Sequence, residues 1–160
     1  MKEITVNSSF TIYQETSELP EDIQELLAVA VENRKNAYAP YSKFRVGAAL
    51  LLDNGKTVGG SNQENAAYPS GLCAERVAIF HASAIYPDAK VLKIVISAAA
   101  DSGSTAAPIP PCGACRQVIA EYEVRQDSPV EIYFAGDAGP IVKSDSLRNL
   151  LPFTFDKNFL

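Results

Sequence analysis

The chain has 160 residues, of which 47% are hydrophobic and 21% charged, a composition typical of one globular domain. The net charge of −5 and the lack of a basic run argue against a nucleic acid polymer as partner. No stretch approaches about 18 uninterrupted apolar residues, and no signal-peptide pattern is visible, so we expect no membrane partner. An odd count of three cysteines favours a reducing, cytoplasmic location over a disulfide scaffold.

The first residues predict an edge strand or arm, because Ile4, Val6, Phe10 and Ile12 all fall at even positions. A helix should follow over residues 21–37, behind an acidic first turn.

The remaining elements follow from periodicity and turn residues. In chain order they are strands 44–52 and 57–61 around an Asp-Asn-Gly-Lys turn, a polar loop 62–72, a helix 73–85, a strand 91–98, a loop 99–111, a helix 112–123, a strand 130–135, a short strand 141–143 and a short helix that Ser144 or Asp145 caps and that ends by Leu151. This order predicts an α/β fold, a three-layer α/β/α sandwich around a mixed, roughly five-stranded sheet.

The three cysteines carry the chemistry. Cys73 opens one predicted helix, and Cys112 and Cys115 open another with a Cys-x-x-Cys spacing. Helix N-termini favour thiolates, and residues three apart share a helix face, so the three sulfurs can meet at one point. Three thiolates leave the fourth position of a tetrahedral zinc open, as catalytic sites require.

Two neighbours of the cysteines complete the predicted site. Glu75 follows Cys73 by two positions and is placed to carry protons beside the metal. Zinc with three thiolates has a formal charge of 2 − 3 = −1, which weakens it as a Lewis acid. Arg76, which adjoins both Glu75 and the Cys73 motif, is the better candidate for charge compensation, ahead of Arg116.

Three other interpretations of the cysteines remain open at this point. A redox Cys-x-x-Cys pair would leave Cys73 and Glu75 without a task. A structural zinc would need a fourth ligand, but the single histidine, His81, lies about two helical turns beyond Cys73 and is expected to pack against its surroundings. Buried, unliganded cysteines are the third alternative.

Taken together, the motifs resemble those of the small, homotetrameric, zinc-dependent cytidine deaminases of the three-cysteine type. The resemblance runs from about residue 40 to residue 155 and rests on APYSKF (39–44), VGAAL (46–50), NQENAAY (62–68), CAER (73–76), PCGACRQ (111–117) and LLP (150–152). It implies one zinc per subunit and the hydrolytic deamination of cytidine and deoxycytidine with release of ammonia. It also leaves residues 1–17 as an N-terminal extension before a single domain, 18–160.

The resemblance assigns roles to further residues. It implies Glu75 as the proton shuttle and Cys73, Cys112 and Cys115 as zinc ligands. It also implies a substrate site in which Asn62 and Glu64 bind the ribose hydroxyls, Phe44 stacks near the base, and a C-terminal aromatic reaches a neighbouring subunit's site. The residues matched to this substrate site are Phe44, Asn62, Glu64, Ala66, Ala74 and Phe155.

The chain departs from the family pattern at three places. Arg45 replaces a usual proline, Pro110 replaces a usual serine whose backbone carbonyl is thought to accept from the leaving amino group, and the loop at 98–110 is longer. Three alternative functions are a deaminase of another amino-pyrimidine nucleoside such as blasticidin S, a non-catalytic zinc protein, and a polynucleotide deaminase. The acidic net charge speaks against the last.

Overall fold

The computed structural model describes residues 1–160. The chain forms six strands and three α-helices. In chain order they are β1 Thr11–Tyr13, α1 Glu21–Lys35, β2 Phe44–Leu52, β3 Thr57–Ser61, α2 Ala74–Ile85, β4 Val91–Ala100, α3 Gly113–Gln126, β5 Glu131–Ala135 and β6 Ile141–Ser144. No helix has both the length and the apolar character needed to span a membrane.

The strands form one mixed sheet in the order β1-β6-β5-β4-β2-β3. Only β4 and β5 are parallel, and the predicted hairpin of β2 and β3 is confirmed, with Gly55 at a positive φ of 76° in its turn. The sheet has six strands where roughly five were predicted, because the N-terminal arm adds β1 at its edge. It pairs antiparallel with β6, Ile12 lying opposite Val142.

The two faces of the sheet build two separate apolar clusters, which confirms the three-layer sandwich. Period-two alternation sends Leu50 and Ile96 to the face covered by α2 and α3, and Ala49 and Val95 to the face covered by α1. Full burial of one such aliphatic side chain contributes about 1.5–3 kcal/mol. The alternation of the central strands therefore fixes which helix covers which face.

Two glycines let the helices approach the sheet closely. A Cβ at Gly47 would overlap the Ala30 carbonyl oxygen in α1, and one at Gly60 would come within 2.5 Å of the Ala78 nitrogen in α2. The second contact sets the first turn of α2 directly against β3. The start of α2 is therefore held by backbone packing, which matters for Cys73.

The C-terminal segment differs from its prediction. The short helix is a single 3-10 turn, Leu147–Asn149, and its cap is Ser146, whose side chain accepts a hydrogen bond from the Arg148 nitrogen. The expected caps were wrong: the Ser144 hydroxyl donates to the Ser146 carbonyl, and Asp145 pairs with Lys143.

Candidate metal centre

Two helix N-termini meet at the cysteines. Cys73 is the N-cap of α2 and Cys112 the N-cap of α3, and both have an extended backbone. Cys115 lies within the first turn of α3 and is buried, while Cys112 is exposed and Cys73 intermediate. The partial positive charge of both helix ends therefore faces the same sulfur atoms.

The three sulfurs lie at the spacing that a tetrahedral metal requires. The three Sγ atoms all lie within 4.8 Å of one another. The Cys73–Cys112 separation is 3.8 Å and the Cys112–Cys115 separation is 3.5 Å. Zinc–sulfur bonds of about 2.3 Å at tetrahedral angles place sulfurs about 3.8 Å apart. The donor set and its geometry therefore fit zinc.

No fourth protein ligand accompanies these thiols. Neither His81 nor any carboxylate belongs to the metal-binding group. His81 is exposed on α2, so the expected packing against its surroundings is not seen within one chain. A closed structural site would need a fourth side chain, whereas three ligands leave one position open.

The thiols share their protons unequally in the absence of metal. Hydrogen bonds from Cys115, then from Arg76 and Cys112, lower the pKa of Cys73 to about 5. The pKa of Cys115 is raised in turn, first by its hydrogen bond to Cys73 and then by burial. The group therefore contains a thiolate at neutral pH even without metal, which suits it for metal binding.

Glu75 lies in the first turn of α2 and is almost fully buried, with 4% of its surface exposed. Burial raises its pKa, and the nearby Cys73 thiolate raises it further. A carboxyl group with a raised pKa next to a metal site can take up and release protons near neutral pH. This environment is typical of an acid–base group.

The two arginines near the cysteine motifs have different partners. The Arg76 guanidinium lies 3.8 Å from the Cys73 sulfur and 3.4 Å from the Gly71 carbonyl oxygen. Arg116 instead donates to the carbonyl oxygens of Pro111 and Leu150, at 2.8 and 3.0 Å. Only Arg76 therefore donates to a thiol, while Arg116 ties α3 to the C-terminal segment.

A cavity of about 700 Å³ opens at the thiols. Glu75, Arg76, Cys73 and Cys112 line its inner part. Aromatic, apolar and amide side chains line the remainder, among them Tyr41, Phe44, Asn62, Glu64, Tyr68, Leu72, Ile109 and Pro110. The combination of apolar walls with a few polar groups is typical of a small-molecule site. A larger depression of about 820 Å³, between α3 and the C-terminal segment, contains none of the cysteines.

Asn62 and Glu64 both form hydrogen bonds with backbone groups beside the cavity. The Asn62 amide donates to the Phe44 carbonyl oxygen at 3.0 Å and accepts from the Val46 nitrogen at 2.8 Å. One Glu64 carboxylate oxygen accepts from the Tyr41 nitrogen at 2.9 Å. A hydrogen bond from the Ser42 side chain, then this one, lower the pKa of Glu64. A carboxylate can accept more hydrogen bonds than these, so Glu64 retains acceptor capacity for a ligand.

These bonds hold a strained turn. Lys43, between Ser42 and Phe44, has a positive φ of 56°, a conformation that non-glycine residues seldom adopt. Ser42 stabilises it further, since its hydroxyl accepts from the Phe44 nitrogen at 3.1 Å. Glu64 and Ser42 thereby place Phe44 at the cavity wall.

The other predicted substrate residues are more scattered. Ala74 is buried behind Cys73, and Ala66 is exposed; neither lines the cavity. Phe155 also lies outside it, with 60% of its surface exposed, and stacks on Phe159 with ring centroids 5.9 Å apart. Within one chain the structure therefore brings Phe44, but not these three, to the cavity.

Two tyrosines at the cavity mouth were not singled out from the sequence. Tyr41 and Tyr68 meet edge to face, with ring centroids 6.0 Å apart, and both line the cavity. Both tyrosines lie in motifs on which the family resemblance rests, and this was the only feature of the sequence that could have identified them as cavity residues.

Arg45 has a definite structural role. It pairs with Asp101 at 2.7 Å and donates to the Ala37 carbonyl oxygen at 3.0 Å. The side chain thus joins the segment that follows α1 to the loop that follows β4. A proline at this position could make neither bond.

Comparisons with known proteins agree with this geometry. Residues 20–127 match the family model for the cytidine and deoxycytidylate deaminase zinc-binding region. A cytidine deaminase of Halalkalibacterium halodurans is 41% identical over 134 residues, which cover 84% of this chain and 94% of that protein. One of Sporosarcina psychrophila is 41% identical over 140 residues, covering 87% of this chain and 95% of that protein.

Solved structures lead to the same family. The crystal structure of a cytidine deaminase from Burkholderia pseudomallei superposes with a TM-score of 0.71 at 37% sequence identity, covering 86% of this chain and 100% of that one. A cytidine deaminase from Mycobacterium tuberculosis gives a TM-score of 0.65 at 32% identity, covering 85% and 98% of the two chains. The thiol group, the fold and both comparisons agree: this chain belongs to the cytidine and deoxycytidylate deaminase family, whose shared region binds zinc.

Proposed function

We propose that the protein hydrolyses the amino group of cytidine and deoxycytidine, giving uridine or deoxyuridine and ammonia. The observation that carries this proposal is the three-thiol group with Glu75 buried beside it, at the inner end of a cavity of about 700 Å³. Relatives that are 41% identical over most of the chain and are cytidine deaminases support the same substrate class.

Cys73, Cys112 and Cys115 would hold one zinc per chain. When bound, zinc supplies the Lewis acid that lets a water molecule act as the nucleophile near neutral pH. Arg76, which donates to Cys73, offsets the negative charge of the thiolates. The two helix N-termini act in the same direction.

Glu75 moves the protons. It accepts one from the attacking water and delivers it to N3 of the pyrimidine, while the water oxygen bonds to C4. It then takes the remaining proton from the new C4 hydroxyl and passes it to the exocyclic amino group; the C4–N bond breaks, C4 becomes a carbonyl, and ammonia leaves. Its burial supports this role, because the raised pKa lets the carboxyl group hold and release a proton in turn.

The nucleoside would be oriented by the polar wall opposite the thiols. The remaining hydrogen-bond capacity of Glu64 and Asn62 suits ribose hydroxyls. Phe44 would stack near the base. Ala66 and Ala74 would contribute through their backbone, since a methyl group offers no polar contact.

We infer a homotetramer in which Phe155 reaches the site of a neighbouring subunit. Phe155 is exposed and lies outside its own chain's cavity, which supports a role in trans. Phe80 and Ile85 are also exposed on the outer side of α2, as expected of a face that another subunit covers.

Residues 1–17 would be an extension to the single domain 18–160. The need for reduced thiols favours a cytoplasmic location.

The decisive experiment offers zinc-loaded protein cytidine, deoxycytidine, CMP and blasticidin S, and follows ultraviolet absorbance and ammonia release. We expect turnover of the first two. Turnover of blasticidin S alone would establish the second candidate function, and turnover of none with zinc bound would favour a non-catalytic zinc protein. Metal analysis should give one zinc per chain, and light scattering should give four chains per particle.

A further inference from the structure

The loop between β4 and α3 forms one wall of the cavity. Ile109 and Pro110 line the cavity directly, and the loop then continues into Cys112. Between Asp101 and Pro110 it contains no helix or strand, so its position depends on contacts with other parts of the chain.

One side chain outside the loop bonds two consecutive residues near its middle. Asp137 lies in the turn between β5 and β6, and its Oδ1 atom accepts from the Thr105 nitrogen at 2.5 Å and from the Ser104 hydroxyl at 3.3 Å. Its own backbone nitrogen donates to the Thr105 carbonyl oxygen at 3.1 Å. The Thr105 side chain in turn accepts from the Ala100 nitrogen at 3.1 Å.

The turn and the loop also fit closely against each other. A Cβ at Gly136 would overlap the Thr105 carbonyl oxygen, and one at Gly139 would overlap the Ala106 carbonyl oxygen. Glycine at both positions therefore allows the two backbones to touch. The turn and the loop are therefore joined both by close backbone packing and by side-chain hydrogen bonds.

The hydrogen bonds from the loop stabilise the ionised form of Asp137. The Thr105 nitrogen contributes most to lowering the pKa of this carboxyl group, and the Ser104 hydroxyl adds to the effect. Hydrogen bonds to a charged acceptor are stronger than neutral ones.

We propose that Asp137 is a positioning residue for the substrate cavity: it fixes the loop at Ser104 and Thr105 and thereby holds Ile109 and Pro110 against the bound base. The proposal deepens the proposed deamination and rests on it. It explains how a loop longer than the family pattern can still present a defined wall. Asp137 itself does not line the cavity and touches no reacting group.

The role predicts a split between binding and turnover. Losing a charge-assisted hydrogen bond changes a local equilibrium by about tenfold or more. For Asp137→Ala we therefore expect KM for cytidine to rise by about tenfold while kcat changes by less than about threefold. A merely structural role would lower the amount of folded enzyme and leave KM unchanged. Asp137→Asn retains an acceptor oxygen without the charge, so its KM should lie between wild type and Asp137→Ala.

Hydrogen exchange tests whether Asp137 holds the loop at Ser104 and Thr105, without measuring activity. In Asp137→Ala, backbone amides of residues 101–111 should exchange faster, while those of β4 and α2 keep the wild-type rate. The matched control is Asp88→Ala, an exposed loop aspartate whose side chain makes no hydrogen bond or ion pair, which should change neither exchange nor KM. If Asp137→Ala does not fold, Asp137→Asn carries the same comparison.

The outcomes separate the two proposals. If the wild-type protein does not turn over cytidine, the proposed function fails and, with it, the positioning role, although the exchange result still reports on the anchor. If wild type is active, unchanged exchange at 101–111 overturns the inference. So does faster exchange with an unchanged KM, because the loop would then be anchored by Asp137 without positioning the substrate.

Discussion

Replacing Glu75 with glutamine tests the proton shuttle with the smallest change of shape. The side chain is 4% exposed and lies in the first turn of α2, so an amide of the same size fills the same space. Glutamine keeps an acceptor and gains a donor, but it cannot take up a proton. The substitution therefore removes acid–base chemistry and little else.

The expected loss follows from the role. General acid–base catalysis contributes about 10²–10⁴-fold, so kcat for cytidine should fall by at least about 100-fold, or ~2.7 kcal/mol of barrier. Zinc content should stay the same, because Glu75 is not among the ligands. Burial disfavours the ionised carboxyl and raises its pKa. The folded state therefore loses stability as the pH rises from the ordinary pKa of a glutamate towards the raised pKa of Glu75. The metal-free variant should therefore unfold no earlier than wild type at neutral pH.

The assay combines steady-state deamination, metal analysis and thermal unfolding. Glu121→Gln makes the same chemical change on the exposed surface of α3 and should behave as wild type in all three. Near-normal turnover by Glu75→Gln would refute the mechanism. Loss of zinc from this variant would also refute it, since it would make Glu75 part of the metal site.

Other predictions concern the metal, its charge and the packing of α1. Chelation of the zinc should abolish turnover and lower the unfolding temperature, and added zinc should restore both; Cys115→Ser should prevent recovery, measured as bound zinc. In metal-free protein, Cys73 should be alkylated with a midpoint near pH 5, and Arg76→Ala should move that midpoint upward because the thiolate loses a donor, as mass spectrometry across pH would show. Gly47→Ala should lower the free energy of unfolding by about 1–3 kcal/mol or more, since its Cβ meets the α1 backbone. Gly113→Ala is the control, because no atom beyond its own helix turn and chain neighbours lies within 4 Å of the added carbon, and denaturant titration is the measurement.

Local patterns predicted the central sheet well because its strands are dense apolar runs bounded by turn residues. Leu50 and Ile96 face one cluster while Ala49 and Val95 face the other, as period two requires. The first residues predicted an edge strand or arm but not its extent or partner, because β1 has only three paired residues and β6 is distant in sequence. Pairing of this kind depends on which edge is free, and no local signal reports that.

In the candidate site, too, local features were predicted and contacts between distant segments were not. Both cysteine motifs lie at helix starts, as their sequence context predicted, and Arg76 donates to Cys73. The role of Arg45 was not predicted, since its partners Ala37 and Asp101 come from separate segments. Its effect exists only once α1 and the loop after β4 are side by side.

The sequence by itself determined which groups meet at the candidate site: three thiols, a neighbouring carboxylate and an arginine, all in short motifs whose spacing a helix N-terminus converts into geometry. Only the tertiary structure decided how the cavity wall is held. Asp137 and Thr105 are 32 positions apart and meet because parallel β4 and β5 end at the same edge of the sheet. Ligand geometry within one helical turn is a local property, whereas the fit between two loops depends on the packing of the whole sheet.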